Sequence, residues 1–310
     1  MAKTARNGGQ VHEATWQPNW PVDAARTLGP LRRGGGDPAF KRDPDGVWWR
    51  TSTTPDGPAT VALRVDRDGV HHAAWGPGSD WVMATVPGWL GAHDDRTEFK
   101  PTDPIVARLD SQFPGLRLGR TNRIWDTLVA AIIEQKVTSA EAHQAWRSLL
   151  FTAGAPAPGP VGDRMRVPPT PQALLELTDW QWHRIGLDGQ RRRTLRAAAT
   201  VAHRLEAGVQ MPAEDAAKRL RVVPGIGIWT AAETMQRAVG DADAVSVGDY
   251  HTPSLVGWAL IGQRIDDDRM LELLEPFRPH RQRVVRLIES GAPRPPRHGP
   301  RAPVRHYRSI

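Results

Sequence analysis

The hydrophobic period of this 310-residue chain changes once, at about residue 105, and that switch constrains the fold more than any single motif. Before it, Val11 to Trp16, Val47 to Thr51, Val61 to Val65 and Val70 to Trp75 are short runs rich in β-branched and aromatic residues, the composition of strands. Asp66-Arg67-Asp68-Gly69 joins the last two as a hairpin turn. Asp23 stands where it can cap a short helix ending near Gly29, and Ser79 or Asp80 can start another that runs to about Leu90. No Gly-rich nucleotide fingerprint follows any of these strands. The expected architecture for residues 1–104 is an α+β domain, an antiparallel sheet with short helices.

After residue 105 the period is helical. Ile124, Trp125, Leu128, Val129, Ile132 and Ile133 line one face of a buried helix that breaks at Glu134-Gln135-Lys136. Thr138-Ser139-Ala140-Glu141 is a capping box for the next helix. Residues 153–171 are a Pro/Gly-rich connection, and helical patterns resume at 171–177, 178–185, 191–207, 213–221, 228–239, 250–262, 267–275 and 279–290. No strand pattern appears beyond residue 110. The expectation for 105–290 is therefore an all-α domain, followed by an Arg/Pro-rich tail at 291–310.

Composition narrows the chemistry. There are no cysteines, which excludes disulfides, thiolate nucleophiles, iron–sulfur clusters and cysteine-ligated zinc. The longest apolar run, Leu128 to Ile133, is far too short to span a bilayer, so a soluble protein of a reducing compartment with no membrane association is expected. Lys and Arg number 41 against 34 Asp and Glu, a net +7, and only five of the 41 are Lys. The last twenty residues supply five arginines (Arg294, Arg297, Arg301, Arg305 and Arg308) and no acid, so most of the excess lies in the tail. Such a tail is either a polyanion-binding arm or a solvated extension. His71-His72, His251 and His280 lack metal-type spacing with carboxylates, so no transition-metal site is expected.

Two segments carry the functional signal. Residues 220–231 read Leu-Arg-Val-Val-Pro-Gly-Ile-Gly-Ile-Trp-Thr-Ala. A helix must stop at Pro224, turn through Gly225 and Gly227, and restart near Ile228, with Val223 and Ile226 as apolar anchors. The restarting helix would point its free N–H groups at an anion over the turn, a way to grip one DNA phosphate without reading sequence. A tight turn between two helices with no ligand has the same pattern. Asp249 lies 18 residues beyond Ala231, at the start of a helix. There it is either an N-cap or an ionised carboxylate facing a sugar that becomes cationic as an N-glycosidic bond breaks.

The hairpin at 220–231 and the spaced Asp249 resemble the helix-hairpin-helix DNA glycosylase superfamily, and within it the 3-methyladenine DNA glycosylase II branch. Supporting stretches are Ile132 to Val137, Gly186 to Arg196 and Val223 to Ala231; the likeness covers residues 105–290, and the N-terminal third matches in layout only.

The resemblance implies a base-excision repair enzyme acting on double-stranded DNA that contains damaged bases, cytoplasmic and nucleoid-associated, with no obligate protein partner. Asp249 becomes the catalytic carboxylate, and Val223, Gly225, Ile226 and Gly227 the phosphate-binding turn. Bifunctional relatives carry a lysine where this chain has Trp229, and an indole cannot form a Schiff base, so a monofunctional enzyme without lyase activity is implied. Trp229 also matches a pocket aromatic suited to a cationic alkylated purine of the 3-methyladenine or 7-methylguanine type, and Phe277 a second one. Glu233 stands where the branch has another aromatic, and Lys136, beside Gln135, where it has an apolar wedge. Glu233 could pair with a cationic base, accept a purine N–H, or be a satisfied helix residue. Arg191, Arg192 and Arg193 could contact phosphate or form a solvated basic turn. No cofactor is implied beyond a monovalent cation that hairpin carbonyls can hold. The alternatives are a non-catalytic damaged-DNA-binding protein and a glycosylase for a neutral deaminated purine.

Overall fold

The computed structural model describes residues 11–296. Its N-terminal layer is a five-stranded antiparallel sheet of order β1-β5-β4-β3-β2, built from β1 (His12–Trp16), β2 (Phe40–Arg42), β3 (Trp48–Thr54), β4 (Gly57–Asp66) and β5 (Gly69–Trp75). Two helices accompany it, α1 (Ala24–Leu28) and α2 (Ser79–Trp89). The hairpin from β4 to β5 turns through Arg67 and Asp68 between the paired Asp66 and Gly69, and Gly69 adopts φ +131, a conformation that favours glycine. Alternation along β4 sends Ala59, Val61 and Leu63 inward, where they meet Val70 and Ala74 of β5, Leu28 of α1 and Val82 and Val86 of α2. Asp23 caps α1 as expected, its side chain accepting from the Arg26 N–H; α2 starts at Ser79 with no side-chain cap. The edge strand β2 was not apparent in the sequence, because three residues carry no readable alternation.

The helical part begins with α3 (Pro104–Gln112), α4 (Ile124–Ile133) and α5 (Ser139–Ala153). All ten residues of α4 are buried, so it is a core helix surrounded on every side. Thr138 and Glu141 form the reciprocal capping box at the start of α5. Two short strands, β6 (Ala155–Pro156) and β7 (Arg166–Val167), pair in the following connection. They correct the expectation of no strand beyond residue 110; two-residue strands in a Pro/Gly-rich segment leave no periodic trace. The chain continues through α6 (Pro171–Leu175), α7 (Asp179–Ile185), α8 (Gly189–Thr200), α9 (Ala202–Glu206), α10 (Ala213–Arg221), α11 (Ile228–Ala238), α12 (Thr252–Ile261), α13 (Asp267–Leu274) and α14 (Arg281–Gly291). The single helical stretch expected at 191–207 is two helices, α8 and α9, broken at Val201.

Three apolar clusters hold these elements. One lies under the sheet, a second surrounds α4, and a third joins Val106 and Leu109 of α3 to α12, α13 and α14. Polar contacts stitch the sheet layer to the helices. Ser52 Oγ donates to Asp126 Oδ2 (2.6 Å), Trp146 Nε1 donates to Asp37 Oδ1 (2.8 Å), and Arg237 Nε donates to the Pro30 carbonyl (3.0 Å). The tail arginines Arg297, Arg301, Arg305 and Arg308 lie outside the described residues. No helix among the described residues is long and apolar enough to cross a membrane.

Candidate active site at the seam between sheet and helices

The hairpin between α10 and α11 forms as its residues require. Val223 and Ile226 are buried in the cluster around α4, and the Ile226 N–H donates to the Val223 carbonyl (3.0 Å). Gly225 has φ +90, and a Cβ there would sit 2.0 Å from Thr194 Oγ1 of α8, so this glycine is demanded by the turn and by the helix behind it. Gly227 is different. It is the N-cap of α11 with no side chain to satisfy the first-turn N–H groups, and a Cβ at this position would meet nothing. The first turn of α11 thus presents uncapped backbone donors to open space, flanked by Val222 (81% exposed) and Ile228 (51% exposed).

Gln135 ties this hairpin to the end of α4: its Nε2 donates to the Gly225 carbonyl (2.9 Å) and to Thr230 Oγ1 (2.8 Å). Its amide donor is thus engaged internally, within the protein. Next to it, Lys136 is exposed and adopts φ +52, an uncommon backbone conformation for a side-chain-bearing residue. Gln135 on one side and the capping box of α5 on the other over-determine that conformation and present the lysine at the tip. The Val223 and Gly225 carbonyls each keep a second lone pair beyond these bonds, which a monovalent cation could take.

Asp249 sits in the turn before α12 and uses both its oxygens. Oδ1 accepts from the His251 N–H (2.8 Å), the Thr252 N–H (2.8 Å) and Thr252 Oγ1 (2.9 Å). Oδ2 accepts from Trp229 Nε1 (3.2 Å). Burial pushes the carboxyl group's pKa up, but these four donors outweigh it and hold the pKa below the ordinary value. The helix N-terminus that one oxygen caps also helps to keep the group ionised.

Asp249 borders a cavity of about 280 Å³ at the seam between sheet layer and helices. Pro30, Leu31 and Trp89 of the N-terminal layer form one wall and the 117–121 segment another. The remainder comes from Thr27 of α1, α11, the segment from Asp241 to His251, α12 and α14. Glu233 and Arg237, one turn apart on α11, form an ion pair inside it (2.8 Å), and Glu233 also accepts from Ser246 Oγ. Burial lowers the Arg237 pKa, but the Glu233 and Glu134 carboxylates carry it above the ordinary value. Arg286 pairs with Glu289 and donates to the Arg26 carbonyl (3.0 Å). Arg117 and Arg120 also line the cavity, and neither makes an ion pair among the described residues. Burial lowers the pKa of both guanidinium groups.

Several expected residues fall elsewhere. Trp229 reaches the site through its indole N–H on Asp249, but it does not line the cavity. Phe277 packs against the cluster of α3 and α12–α14, outside the cavity; its apolar contacts in that cluster explain its residue type. Arg191 is 2% exposed, donates to the Ile133 carbonyl (2.7 Å) and pairs with Asp188 (2.6 Å), so it braces α8 against α4 and is not available to phosphate. Arg192 pairs with Asp179, while Arg193 is exposed. Conversely, the sequence reading missed Arg117, Arg120, Ser246 and Gln282, because nothing in their spacing ties them to Asp249. The i, i+4 pairing of Glu233 with Arg237 was the one available signal. Among the described residues, no group of three or more His, Cys, Asp or Glu side chains could hold a metal ion.

No family model matches this sequence, and no curated protein matches it. Its fold does match solved structures. A 3-methyladenine DNA glycosylase from Archaeoglobus fulgidus superimposes with a TM-score of 0.74 at 16% identity, over 90% of this chain and 97% of that one. An 8-oxoguanine glycosylase/lyase from Clostridium acetobutylicum, in complex with double-stranded DNA containing cytosine opposite 8-oxoguanine, gives 0.68 at 14% identity, over 91% and 97%. The Schizosaccharomyces pombe 3-methyladenine DNA glycosylase bound to abasic DNA gives 0.50 at 16% identity, over 61% and 92%. The chain has the fold of helix-hairpin-helix DNA glycosylases.

Proposed function

We propose that this protein is a monofunctional DNA glycosylase that flips a damaged purine out of the duplex and hydrolyses its N-glycosidic bond. The observation that carries this reading is Asp249. It is a carboxylate kept ionised by four hydrogen bonds, at the border of a base-sized cavity, in a chain whose uncapped hairpin offers backbone donors to a phosphate.

In this mechanism the α11 N-terminus holds a backbone phosphate while the target nucleotide rotates into the cavity. The bond between C1′ and the base nitrogen breaks with its electron pair leaving on the base. Positive charge builds on the sugar ring, and the Asp249 carboxylate stabilises it. Water adds at C1′; the proton it loses balances the one the departing base takes up. No amine stands at the Trp229 position, so the expected product is an abasic site in an uncut strand. The seam location fits this chemistry, because the walls from both layers surround a bound base and replace part of its water, which strengthens the electrostatic effect.

The test is base release from duplex DNA with the full-length protein and Asp249→Asn. Wild-type protein is expected to free the base and leave the strand intact until alkali is added. The variant should lose about a hundredfold or more in rate while still binding abasic DNA. Undiminished release by Asp249→Asn overturns the residue's role. Binding without release by the wild-type protein would instead leave a non-catalytic damaged-DNA-binding protein.

A further inference from the structure

We infer that Ser246, gripped by Glu233 and Gln236 of α11, is a positioning residue that sets the place of the Asp249 carboxylate; this rests on the glycosylase reading above. Residues 239–251, between α11 and α12, form neither helix nor strand, so no backbone ladder determines where Asp249 stands. Its placement depends on the points at which this connection is tied down. Val245 and Val247 pack in the apolar cluster of α3 and α12–α14. Ser246, between them, is 5% exposed, and its side chain meets α11 instead.

The Ser246 hydroxyl donates to Glu233 Oε1 and accepts from Gln236 Nε2 (2.8 Å), so its proton and a lone pair are both used. Gln236 Nε2 also donates to the Ala244 carbonyl (2.8 Å). The Ser246 carbonyl in turn accepts from the Asp249 N–H (3.2 Å), which closes the turn that carries the carboxylate. One residue therefore holds α11 with its side chain and Asp249 with its main chain. Glu233 supplies the fixed end. Its Oε2 pairs with Arg237 (2.8 Å), and Arg237 Nε donates to the Pro30 carbonyl in the wall from the N-terminal layer (3.0 Å). A continuous series of bonds thus runs from Pro30 through Arg237, Glu233 and Ser246 to Asp249, and every member lines the cavity.

The series gives Glu233 a task that needs no contact with the base, since both its oxygens are engaged within the protein. It also fixes a distance that the chemistry depends on. The N-terminus of α11 is the part that grips the phosphate, and the same helix carries Glu233 and Gln236. Ser246 thereby sets how far the carboxylate stands from the phosphate grip, and so from the sugar between them. Charge-assisted bonds such as those of Glu233 are the stronger kind and suit this purpose. Loss of the Ser246 hydroxyl leaves other ties in place: Gly248 N–H to Asp267 Oδ1 (2.9 Å), the Asp249 cap on α12, and the longer bond from Trp229 Nε1 (3.2 Å). The protein should then fold with the carboxylate displaced, and a displacement of about 1 Å can cost on the order of a hundredfold in rate.

The experiment is a double-mutant cycle on single-turnover base release by the full-length protein, using the lesion that wild-type protein frees fastest from a mixed-damage duplex. Ser246→Ala is expected to lower the rate about 10- to 100-fold, with the Kd for abasic DNA within about twofold of wild type. In the Asp249→Asn background the same substitution should change the residual rate by less than about twofold, because a residue that acts through the carboxylate has nothing to position once it is gone. A merely structural role would lower the rate by the same factor in both backgrounds. Gln236→Leu removes the other bond to the Ser246 hydroxyl and should repeat the pattern, which supplies the test if Ser246→Ala does not fold. A wild-type rate in folded Ser246→Ala, or equal losses with and without the Asp249 carboxylate, overturns the proposal and leaves the glycosylase reading standing. Release of no base by wild-type protein from the mixed-damage duplex overturns the glycosylase reading itself and this inference with it.

Discussion

Asp249 shows how one side chain meets two demands. Its Oδ1 satisfies orphan N–H groups at the start of α12, worth about 1 kcal/mol as a cap, and the same bonds depress its pKa. Because the folded value lies below the unfolded one, the carboxylate stabilises the fold at pH values above the ordinary Asp range of about 3.9. That contribution is lost as pH falls through the depressed folded value. Under the proposed mechanism the effect on rate has the same sign. Rates should not fall through Asp249 titration between about pH 5 and pH 8, and an acid limb centred above about pH 5 that disappears in Asp249→Asn would contradict the assignment. Asp249 was legible in the sequence because its position after the hairpin is a fixed spacing. Its hydrogen-bond donors were not: the indole of Trp229 reaches back across twenty residues, and its partner is known only from the fold.

At the scale of elements, the hairpin separates two glycines that look equivalent in Pro-Gly-Ile-Gly. Gly225→Ala forces a Cβ onto Thr194 Oγ1 at a positive φ, and should destabilise the protein by about 1–3 kcal/mol in denaturant melts. Gly227 has φ −92 and open space around it. Gly227→Ala should therefore leave stability within about 0.5 kcal/mol and weaken DNA binding, since a methyl group would stand where a phosphate must approach. Equal melting behaviour for the two variants would remove the packing distinction. The sequence located both ends of α10 and α11 because proline and glycine act on the backbone directly. It could not distinguish the glycines, because the atom that excludes a side chain at 225 belongs to α8. Arg191 is lost to phosphate for the same reason: it faces inward to α4, and helical phase alone did not reveal the neighbour.

Across the whole molecule, the cavity walls are held by a buried ion pair between segments almost two hundred residues apart. Arg283 and Asp94, with side chains 1% and 2% exposed, meet through two hydrogen bonds, and Asp94 also accepts from the Leu118 N–H (3.0 Å). This fixes the 117–121 segment against α14, the two walls that carry Arg117, Arg120 and Gln282. Arg283→Met strands a buried carboxylate and should cost about 3–5 kcal/mol in thermal or denaturant unfolding; a change under about 1 kcal/mol would show that the pair is dispensable. The tail makes a separate prediction. If its arginines meet phosphate, removal of 297–310 should lower the magnitude of the slope of log affinity against log salt by about 0.9 per lost contact. An unchanged slope would exclude the tail from the interface.

The sequence by itself determined the elements, a sheet before residue 105 and helices after it with the hairpin among them, and it singled out Asp249 as a candidate. These follow from periodicity, capping and backbone sterics, all of which act between residues close in the chain. The lining of the cavity was decided by the tertiary structure alone. Pro30, Trp89, Arg117, Glu233, Asp249 and Gln282 come from six separate stretches, and docking of the sheet layer on the helical core brings them around one space. Whether a polar side chain is satisfied or left open to a ligand depends on neighbours supplied by that docking, and local sequence patterns carry no record of them.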